Sequence, residues 1–293
     1  MSKYSYSFEI GNLKCTAIID GTFTYAPPLF PPPATALFIN APSKQLEQVL
    51  CEYYLQPEKW MEWTSTYICL VIKTSDYIVL VDPGAGNLAP STGKLQQNMK
   101  AEGLMPEDID IVIITHAHPD HIGGNTIQEG KSAFPNARYV IWKDEWDFWT
   151  SERAERELDE HMSVPLKIAR KNLLPIQGQL ELIDCETEIV PGISAFAAPG
   201  HTPGHMALAV SSMDDKLLIL SDTVLHPIHL ERPEWHTVFD VDPQQTLSTR
   251  RRLLHKATVE KDLVFVFHFP FPGLGYVLQK GEGWQWQPIK ITS

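Results

Sequence analysis

A short segment, residues 116–121, places three imidazoles and a carboxylate within six positions, in the order His-Ala-His-Pro-Asp-His. The apolar run that ends at Ile114 predicts a buried strand, so the segment lies where a strand gives way to a loop. Loops at the carboxyl ends of strands are a usual location for binding sites in α/β proteins. Neutral imidazoles and carboxylates are ligands of zinc, iron, manganese and cobalt. The segment therefore predicts a metal site, and a histidine-rich surface loop is the alternative.

Three further residues of ligand type follow predicted strands or lie in a turn, namely His201, Asp222 and His268. His201 lies in a stretch rich in glycine and proline, which predicts a turn that exposes the imidazole. Asp222 and His268 follow apolar runs that reach Leu220 and Phe267. Any one of them alone would be explained as a turn or cap residue, but the placement is repeated. With the first segment they supply five histidines and two aspartates, a set that suits two metal ions bridged by a carboxylate and a solvent oxygen.

These motifs resemble those of the metallo-β-lactamase superfamily of metallo-hydrolases. The resemblance is carried by the Val-Asp-Pro-Gly of residues 81–84, by residues 115–124, 200–205 and 221–222, and by His268. Within the superfamily, the chain is most similar to the branch of acyl-homoserine lactonases and methyl parathion hydrolase. Less specific sequence motifs support that placement, at residues 20–22, 145–149 and 268–273.

The resemblance implies a role for each ligand of a two-metal centre. It assigns three histidines to the first ion: His116, His118 and His201. It assigns an aspartate and two histidines to the second ion: Asp120, His121 and His268. Asp222 is implied to bridge the ions, whereas His205 is expected to support the site rather than to bind metal. The implied cofactors are two divalent metal ions per chain, with zinc expected and iron, manganese or cobalt as alternatives.

Predicted strands and helices alternate along the chain. Strands are predicted at residues 13–20, 67–73, 77–81, 109–115, 138–142, 193–198, 206–210, 216–220, 263–267 and near Trp284. Helices are predicted at residues 43–54, 93–102, 144–161, 163–171 and 243–257. This order predicts an α/β fold, an αββα sandwich with two mixed sheets face to face and helices outside. We expect one domain over residues 1–293, with a proline-rich arm and helix at about 22–63 and a helical insert at about 144–172.

Composition and charge restrict the class of protein and of partner. No apolar run approaches a membrane span and the N-terminus has no apolar signal segment, so we expect a cytoplasmic protein with a small-molecule substrate. Cys15 and Cys69 lie in apolar contexts and are expected to be free and buried. The net charge of −12, from 24 basic and 36 acidic residues, argues against nucleic acid, which requires a basic face. The basic run at residues 250–252 is expected on a solvated or ion-paired helix face.

Aromatic and proline-rich segments give candidates for substrate contact. At the start of the insert, Trp149 is expected to line a pocket and Phe148 is a second candidate, with packing in the core as an equal alternative. Leu225 and Phe269 follow metal ligands closely and are further pocket candidates. The proline-rich arm is expected to pack near the active site or across a homodimer interface, or else on its own domain.

The ligand set predicts hydrolysis. Two ions lower the pKa of a bridging water and so provide hydroxide near neutral pH, while one ion polarises the oxygen next to the attacked atom. Asp120 is expected to pass a proton to the leaving oxygen as well as to bind metal. The resemblance implies a tyrosine three residues after the bridging aspartate, but this chain has Leu225 there. His226 is expected to substitute for the missing hydroxyl.

Four functions remain open at this point. A dinuclear metal-dependent hydrolase of lactones or esters, either acyl-homoserine-lactone-like or aryl, ranks first. A phosphotriesterase of the methyl parathion hydrolase type ranks second. A thioesterase or β-lactamase of the same fold ranks third, because zinc β-lactamases generally lack an aspartate equivalent to Asp222. A non-catalytic metal-binding protein ranks last, because a structural site would close the coordination that this ligand set leaves open.

Overall fold

The computed structural model of the chain describes residues 3–127, 130–158 and 162–291. Within them, the strands form two seven-stranded sheets. The first sheet follows chain order: β1 (Ser5–Ile10), β2 (Leu13–Tyr25), β3 (Trp63–Lys73), β4 (Ile78–Val81), β5 (Ile111–Ile114), β6 (Arg138–Trp142) and β7 (Leu180–Ile183). The second does too: β8 (Thr187–Val190), β9 (Ile193–Ala197), β10 (Met206–Ser212), β11 (Asp215–Ile219), β12 (Leu263–Phe265), β13 (Leu274–Lys280) and β14 (Gly283–Pro288).

Both sheets are mixed. Neighbouring strands from β4 to β7 pair in parallel, and so do β11 and β12. The remaining neighbours pair antiparallel. Because parallel strands end at the same edge of a sheet, the loops that follow β4 and β5 meet, as do those that follow β11 and β12.

The apolar core between the sheets follows the two-residue period of the strands. In β10, Leu208 and Val210 point into the space between the sheets, while Ala207 packs on the opposite face. Each fully buried side chain of this kind contributes about 1.5–3 kcal/mol to stability. Cys15 and Cys69 are free thiols within the apolar cores, which confirms the expectation for them.

Helices cover the outer faces of both sheets. They are α1 (Pro33–Leu37), α2 (Ser43–Glu52), α3 (Leu95–Ala101), α4 (Pro119–Ile122), α5 (Lys143–Thr150), α6 (Glu152–Glu157), α7 (Ser163–Leu173), α8 (Ile228–Glu231) and α9 (Pro243–Glu260). Side chains of α3 and α7 pack on the first sheet, and those of α9 pack on the second. The predicted αββα sandwich is therefore confirmed. Among the described residues, none of the helices combines the length and the apolar character that a bilayer crossing requires.

Several elements differ from their predicted limits. β2 continues to Tyr25, well beyond its predicted end at residue 20, and β1, β7, β8 and β13 are strands that the sequence pattern did not predict. The predicted helix at 144–161 is divided at Ser151, whose extended backbone ends α5 and whose Oγ accepts the Arg153 N–H (3.2 Å) to cap α6. Residues 159–161 of that prediction lie outside the described residues.

The proline-rich arm packs on its own chain. Leu37 of α1 and the adjacent Phe38 form an apolar cluster with Ile228 and Trp235. Nε2 of His229 lies 2.9 Å from the carbonyl oxygen of Leu37, which adds a polar contact to the same junction. The arm is thereby held beside the segment that follows Asp222 in sequence. A further role of the arm in a homodimer stays a prediction.

Of the solvated and ion-paired alternatives for the basic run, the solvated one is wrong for Arg250, whose side chain is fully buried in α9. Its Nε donates to the Thr223 carbonyl (2.7 Å), and its Nη1 donates to the carbonyls of Pro233 (2.9 Å) and Trp235 (2.6 Å). Nη2 lies 4.0 Å from Oδ2 of Asp240. A buried guanidinium requires such partners because an unpaired charge in the interior is very costly. The other two arginines of the run are exposed.

Candidate metal centre

Loops at one edge of the facing sheets bring the predicted ligands together. Residues 116–121 follow β5, the turn with His201 follows β9, and Asp222 and His268 follow β11 and β12. All of these ligands are buried. The backbone is left-handed at Asp82 (φ 52°) and at Ser221 (φ 46°). This conformation is uncommon for residues other than glycine, and such strain clusters at functional sites.

The donor atoms form two groups, and within each group they lie within 4.8 Å of one another. The first group contains three imidazoles and a carboxylate: His116, His118, His201 and Asp222. The second contains a carboxylate and two imidazoles: Asp120, His121 and His268. In the first group, Nδ1 of His118 lies 3.1 Å from Nε2 of His116 and 2.9 Å from Nε2 of His201. These three nitrogens therefore face one another closely, as ligands of one ion do.

Asp222 lies between the two groups. Its Oδ2 is 3.6 Å from Nε2 of His116 and 3.3 Å from Nε2 of His201 in the first group. The same oxygen is 3.1 Å from Nε2 of His268, and Oδ1 is 3.2 Å from Nε2 of His121. One carboxylate thus faces imidazoles of both groups, which is the arrangement that a bridging ligand requires.

Hydrogen bonds on the outer side of three imidazoles fix the direction of their inner nitrogens. Nδ1 of each ring lies 2.8–2.9 Å from an oxygen, in the pairs His121–Asp82, His201–Asp240 and His268–Ser65. Partners of this kind orient metal-binding histidines and raise their basicity. Sequence reasoning noted Asp82 through its motif, whereas Asp240 and Ser65 lie in no motif and were missed.

Unpartnered buried atoms in the site fit the presence of metal ions. Among the described residues, Nε2 of His121 and Oδ1 of Asp222 are buried, and although they lie 3.2 Å apart they make no hydrogen bond of acceptable geometry. A polar atom buried without a partner costs about 1–3 kcal/mol, so interiors rarely contain one. Cations between the donor groups would supply partners for both atoms. Imidazole and carboxylate are also the ligand types that zinc accepts.

The charge balance of the site fits cations as well. Burial, together with the charges of neighbouring histidines, holds the pKa of His116 and of His118 well below 6.5. Both rings are therefore neutral, which is the form of imidazole that binds metal. Burial also opposes protonation of His201, but the carboxylates of Asp222 and Asp240 outweigh it and raise its pKa to about 9. The same excess of carboxylate would stabilise a divalent cation.

Glu145 joins the two histidine-bearing loops from inside the protein. Its Oε1 accepts hydrogen bonds from the Ala117 N–H and from the Trp149 indole, at 2.7 Å each, and its Oε2 accepts one from the Gly204 N–H at 2.9 Å. Burial raises the pKa of Glu145, and the backbone N–H groups oppose that shift. Gly204 approaches α5 so closely that a Cβ there would lie 2.1 Å from the Glu145 nitrogen. Only glycine allows this contact between the loop and the helix.

The side chains predicted to line a substrate pocket are instead buried. Trp149 and Phe148 are 0% and 1% exposed, and Leu225 and Phe269 are 4% and 1% exposed. The Trp149 ring lies edge-on against His118, with 5.5 Å between ring centroids. α5 turns both of its rings toward the first sheet, so they belong to the core. The structure therefore does not support a pocket-lining role for these four side chains, which offer almost no open surface.

A different set of rings is partly exposed beside the metal centre. Trp63 lies 6.1 Å from His268 between ring centroids and stacks on Tyr25 at 5.0 Å. Around Tyr25, the rings of Phe23 and Phe30 lie at 4.8 Å and that of Phe239 lies at 5.9 Å. All of these rings except that of His268 are half-buried. We call this set the aromatic cluster: Phe23, Tyr25, Phe30, Trp63 and Phe239.

Two further predicted histidines lie outside both donor groups. Nε2 of His205 accepts the Asp222 N–H (3.2 Å), so His205 supports the backbone of the central carboxylate. His226 packs against Trp60, with 5.9 Å between ring centroids. Burial lowers its pKa to about 4, so the ring is neutral. Its Nδ1 accepts the Ile228 N–H (3.2 Å), which leaves Nε2–H as a potential donor.

Comparison with known proteins identifies the family of this site. A profile of the metallo-beta-lactamase superfamily matches residues 66–268, which is more than half of the chain. The chain belongs to the metallo-β-lactamase superfamily. Among curated relatives, an N-acyl homoserine lactonase of Bacillus cereus is 28% identical in an alignment of 221 residues that covers 68% of this chain and 80% of the relative. The N-acyl homoserine lactonase AiiA of Bacillus thuringiensis subsp. kurstaki is 25% identical over the same shares of the two chains.

Solved structures of the superfamily cover the whole chain. AidC, a dizinc quorum-quenching lactonase in complex with the product N-hexanoyl-L-homoserine, superposes with a TM-score of 0.88 at 26% identity, covering 99% of both chains. The hydrolase AbOPH of the β-lactamase superfamily superposes with a TM-score of 0.87 at 25% identity, covering 100% of both chains. The predicted resemblance is confirmed, and the chain is a metal-dependent hydrolase of this superfamily with a site for two metal ions.

Proposed function

We propose that the chain hydrolyses lactones or esters with two zinc ions, N-acyl homoserine lactones or aryl esters being the substrate class. The observation that carries the proposal is the Asp222 carboxylate, which faces both donor groups. The N-acyl homoserine lactonases among the relatives and the lactonase AidC among the structures support the choice of a carbonyl substrate. A homodimer and a cytoplasmic location remain part of this proposal.

The two donor groups would hold the two ions. His116, His118 and His201 would hold one ion, and the second group would hold the other, with Asp222 shared. When bound, the ions supply an acidified water as nucleophile and polarise the carbonyl oxygen of the substrate. The chain's own contribution to catalysis is to orient three of the imidazoles through their outer hydrogen bonds. Glu145 also holds the loops of Ala117 and Gly204 at a fixed separation.

Proton transfer to the leaving oxygen is assigned to Asp120. Its side chain is 12% exposed and its Oδ2 lies 3.4 Å from Nε2 of His268 and 3.8 Å from Nε2 of His121. A carboxylate beside the reacting group can accept a proton from the attacking water and deliver it to a leaving alkoxide. His226, which packs against Trp60 of the proline-rich arm, remains a second candidate to donate a hydrogen bond to the substrate through Nε2–H.

A substrate panel on metal-quantified enzyme tests this function. We expect kcat/KM for N-hexanoyl-L-homoserine lactone or phenyl acetate to exceed that for a phosphotriester such as methyl parathion by about tenfold or more, a difference of about 1.4 kcal/mol in transition-state stabilisation. The control is the same preparation after removal of metal with a chelator, which should cleave neither class. Efficient cleavage of the phosphotriester without cleavage of any lactone or ester would reverse the ranking in favour of a phosphotriesterase.

A further inference from the structure

Two tyrosine hydroxyls meet beside the second donor group. Oη of Tyr25 lies 2.8 Å from Oη of Tyr67. The Tyr67 ring stands edge-on to His268 at 5.5 Å between centroids, and Trp63 lies against both Tyr25 and His268. The pair is therefore next to a predicted metal ligand, although neither hydroxyl belongs to either donor group.

Burial determines which of the two hydroxyls donates to the other. Tyr67 is 0% exposed, and Oη of Tyr25 is its only hydrogen-bond partner among the described residues. If Tyr25 donated this bond, the proton of Tyr67 would be buried without an acceptor, at a cost that proteins avoid. Tyr67 therefore donates to Tyr25, and the proton of Tyr25 is free to point elsewhere. Burial raises the pKa of Tyr25 above its ordinary value of about 10, so that its hydroxyl keeps this proton at neutral pH.

The ring of Tyr25 is held in place from several sides. Trp63 stacks on one face, with an interplanar angle of 24°, while Phe23, Phe30 and Phe239 meet it edge-on. Phe239 is followed in sequence by Asp240, the hydrogen-bond partner of His201. The rings around Tyr25 therefore include one from a segment that also contacts the first donor group. Because these rings are half-buried, they also offer an apolar surface next to the hydroxyl.

We propose that Tyr25 donates a hydrogen bond from Oη to the substrate carbonyl oxygen as negative charge develops on it, and that the aromatic cluster contacts the apolar acyl or aryl part of the substrate. A donor aimed at developing charge stabilises the transition state more than the ground state. Tyr67 is a positioning residue, since it acts by fixing the direction of the Tyr25 hydroxyl. The proposal rests on the proposed hydrolysis of lactones or esters.

The test compares Tyr25→Phe, Tyr67→Phe, the double variant and Tyr276→Phe on N-hexanoyl-L-homoserine lactone. Tyr276 is a partly exposed residue of β13 and serves as the matched control. We expect Tyr25→Phe to lower kcat by about 100-fold with KM changed by less than about threefold, because only a hydroxyl used in the transition state is removed. Tyr67→Phe should lower kcat by about threefold to tenfold, and the double variant should be no slower than Tyr25→Phe alone. Metal content and melting temperature are measured for every variant.

Binding of the ring-opened product separates this proposal from the proposed function. The carboxylate of the product N-hexanoyl-L-homoserine carries negative charge like that which develops in the transition state, so in calorimetry Tyr25→Phe should bind the product about tenfold more weakly than the wild-type holoenzyme, while Tyr276→Phe should bind it equally well. Wild-type turnover of the lactone combined with unchanged kcat and product affinity in Tyr25→Phe would overturn the role of Tyr25 alone. Additive losses in the double variant would overturn the positioning role of Tyr67. A wild-type enzyme that cleaves neither the lactone nor an aryl ester and does not bind the product would overturn the proposed function and this proposal together.

Discussion

Asp222→Asn is expected to lower turnover of the preferred substrate by about a thousandfold and to reduce the bound metal to fewer than two ions per chain. Both oxygens of Asp222 face imidazoles, and they do so across the two donor groups. The amide keeps the shape but loses the charge that two cations share. Since metal ions supply several kcal/mol of charge stabilisation, weakening one of them should cost about 4 kcal/mol in the barrier.

The matched control for this substitution is Asp214→Asn. Asp214 is an exposed aspartate in the turn before β11, at the opposite end of that strand from Asp222. Elemental analysis and kcat should be unchanged in the control. An Asp222→Asn enzyme that retains two ions and near-normal turnover would show that this carboxylate does not bridge the centre.

Arg250→Met is expected to lower the free energy of unfolding by about 3–5 kcal/mol, because it removes a buried guanidinium and the charge that lies 4.0 Å from Asp240. In the wild-type protein the guanidinium donates hydrogen bonds to the carbonyls of Thr223, Pro233 and Trp235, and the substitution leaves these carbonyls without that donor. Asp240 orients His201, so metal affinity should fall as well. Urea unfolding of the metal-loaded enzyme measures the first effect, and competition with a chromogenic chelator measures the second.

Arg251→Met provides a control one position along the same helix. Its side chain is exposed, and substitution of such a residue changes stability by less than about 0.5 kcal/mol. Comparable losses in the two variants would mean that Arg250 acts through general helix properties rather than through its buried contacts.

The ligand set could be predicted from the sequence because each ligand lies in a loop that follows an apolar strand. The spacing within residues 116–121 is local, and a strand end places a side chain at the edge of the sheet whatever the rest of the chain does. The same reasoning predicted the alternation of sheets and helices, since continuous apolar runs mark strands that are buried on both faces. Short strands such as β1 and β8 alternate buried and exposed residues over few positions, so their signal is weak.

The surroundings of the ligands could not be predicted, because they depend on pairing between distant segments. The sequence pattern ended β2 at Asp20, where β2 and β3 change register. In the structure β2 continues past this irregularity, and the continuation pairs Tyr25 with Trp63 and brings Tyr67 within reach. No motif marks these aromatic residues. The burial of Arg250 could not be predicted either, since a run of three arginines does not indicate which of them has a buried side chain.

Stepwise zinc reconstitution of the metal-free enzyme tests the central claim most directly, with bound metal and lactone turnover measured on the same samples. Two ions per chain are expected at saturation, and turnover of N-hexanoyl-L-homoserine lactone should reach its maximum only as the second ion binds. Full turnover with a single bound ion, and no second ion at excess zinc, would contradict a dinuclear centre built on Asp222.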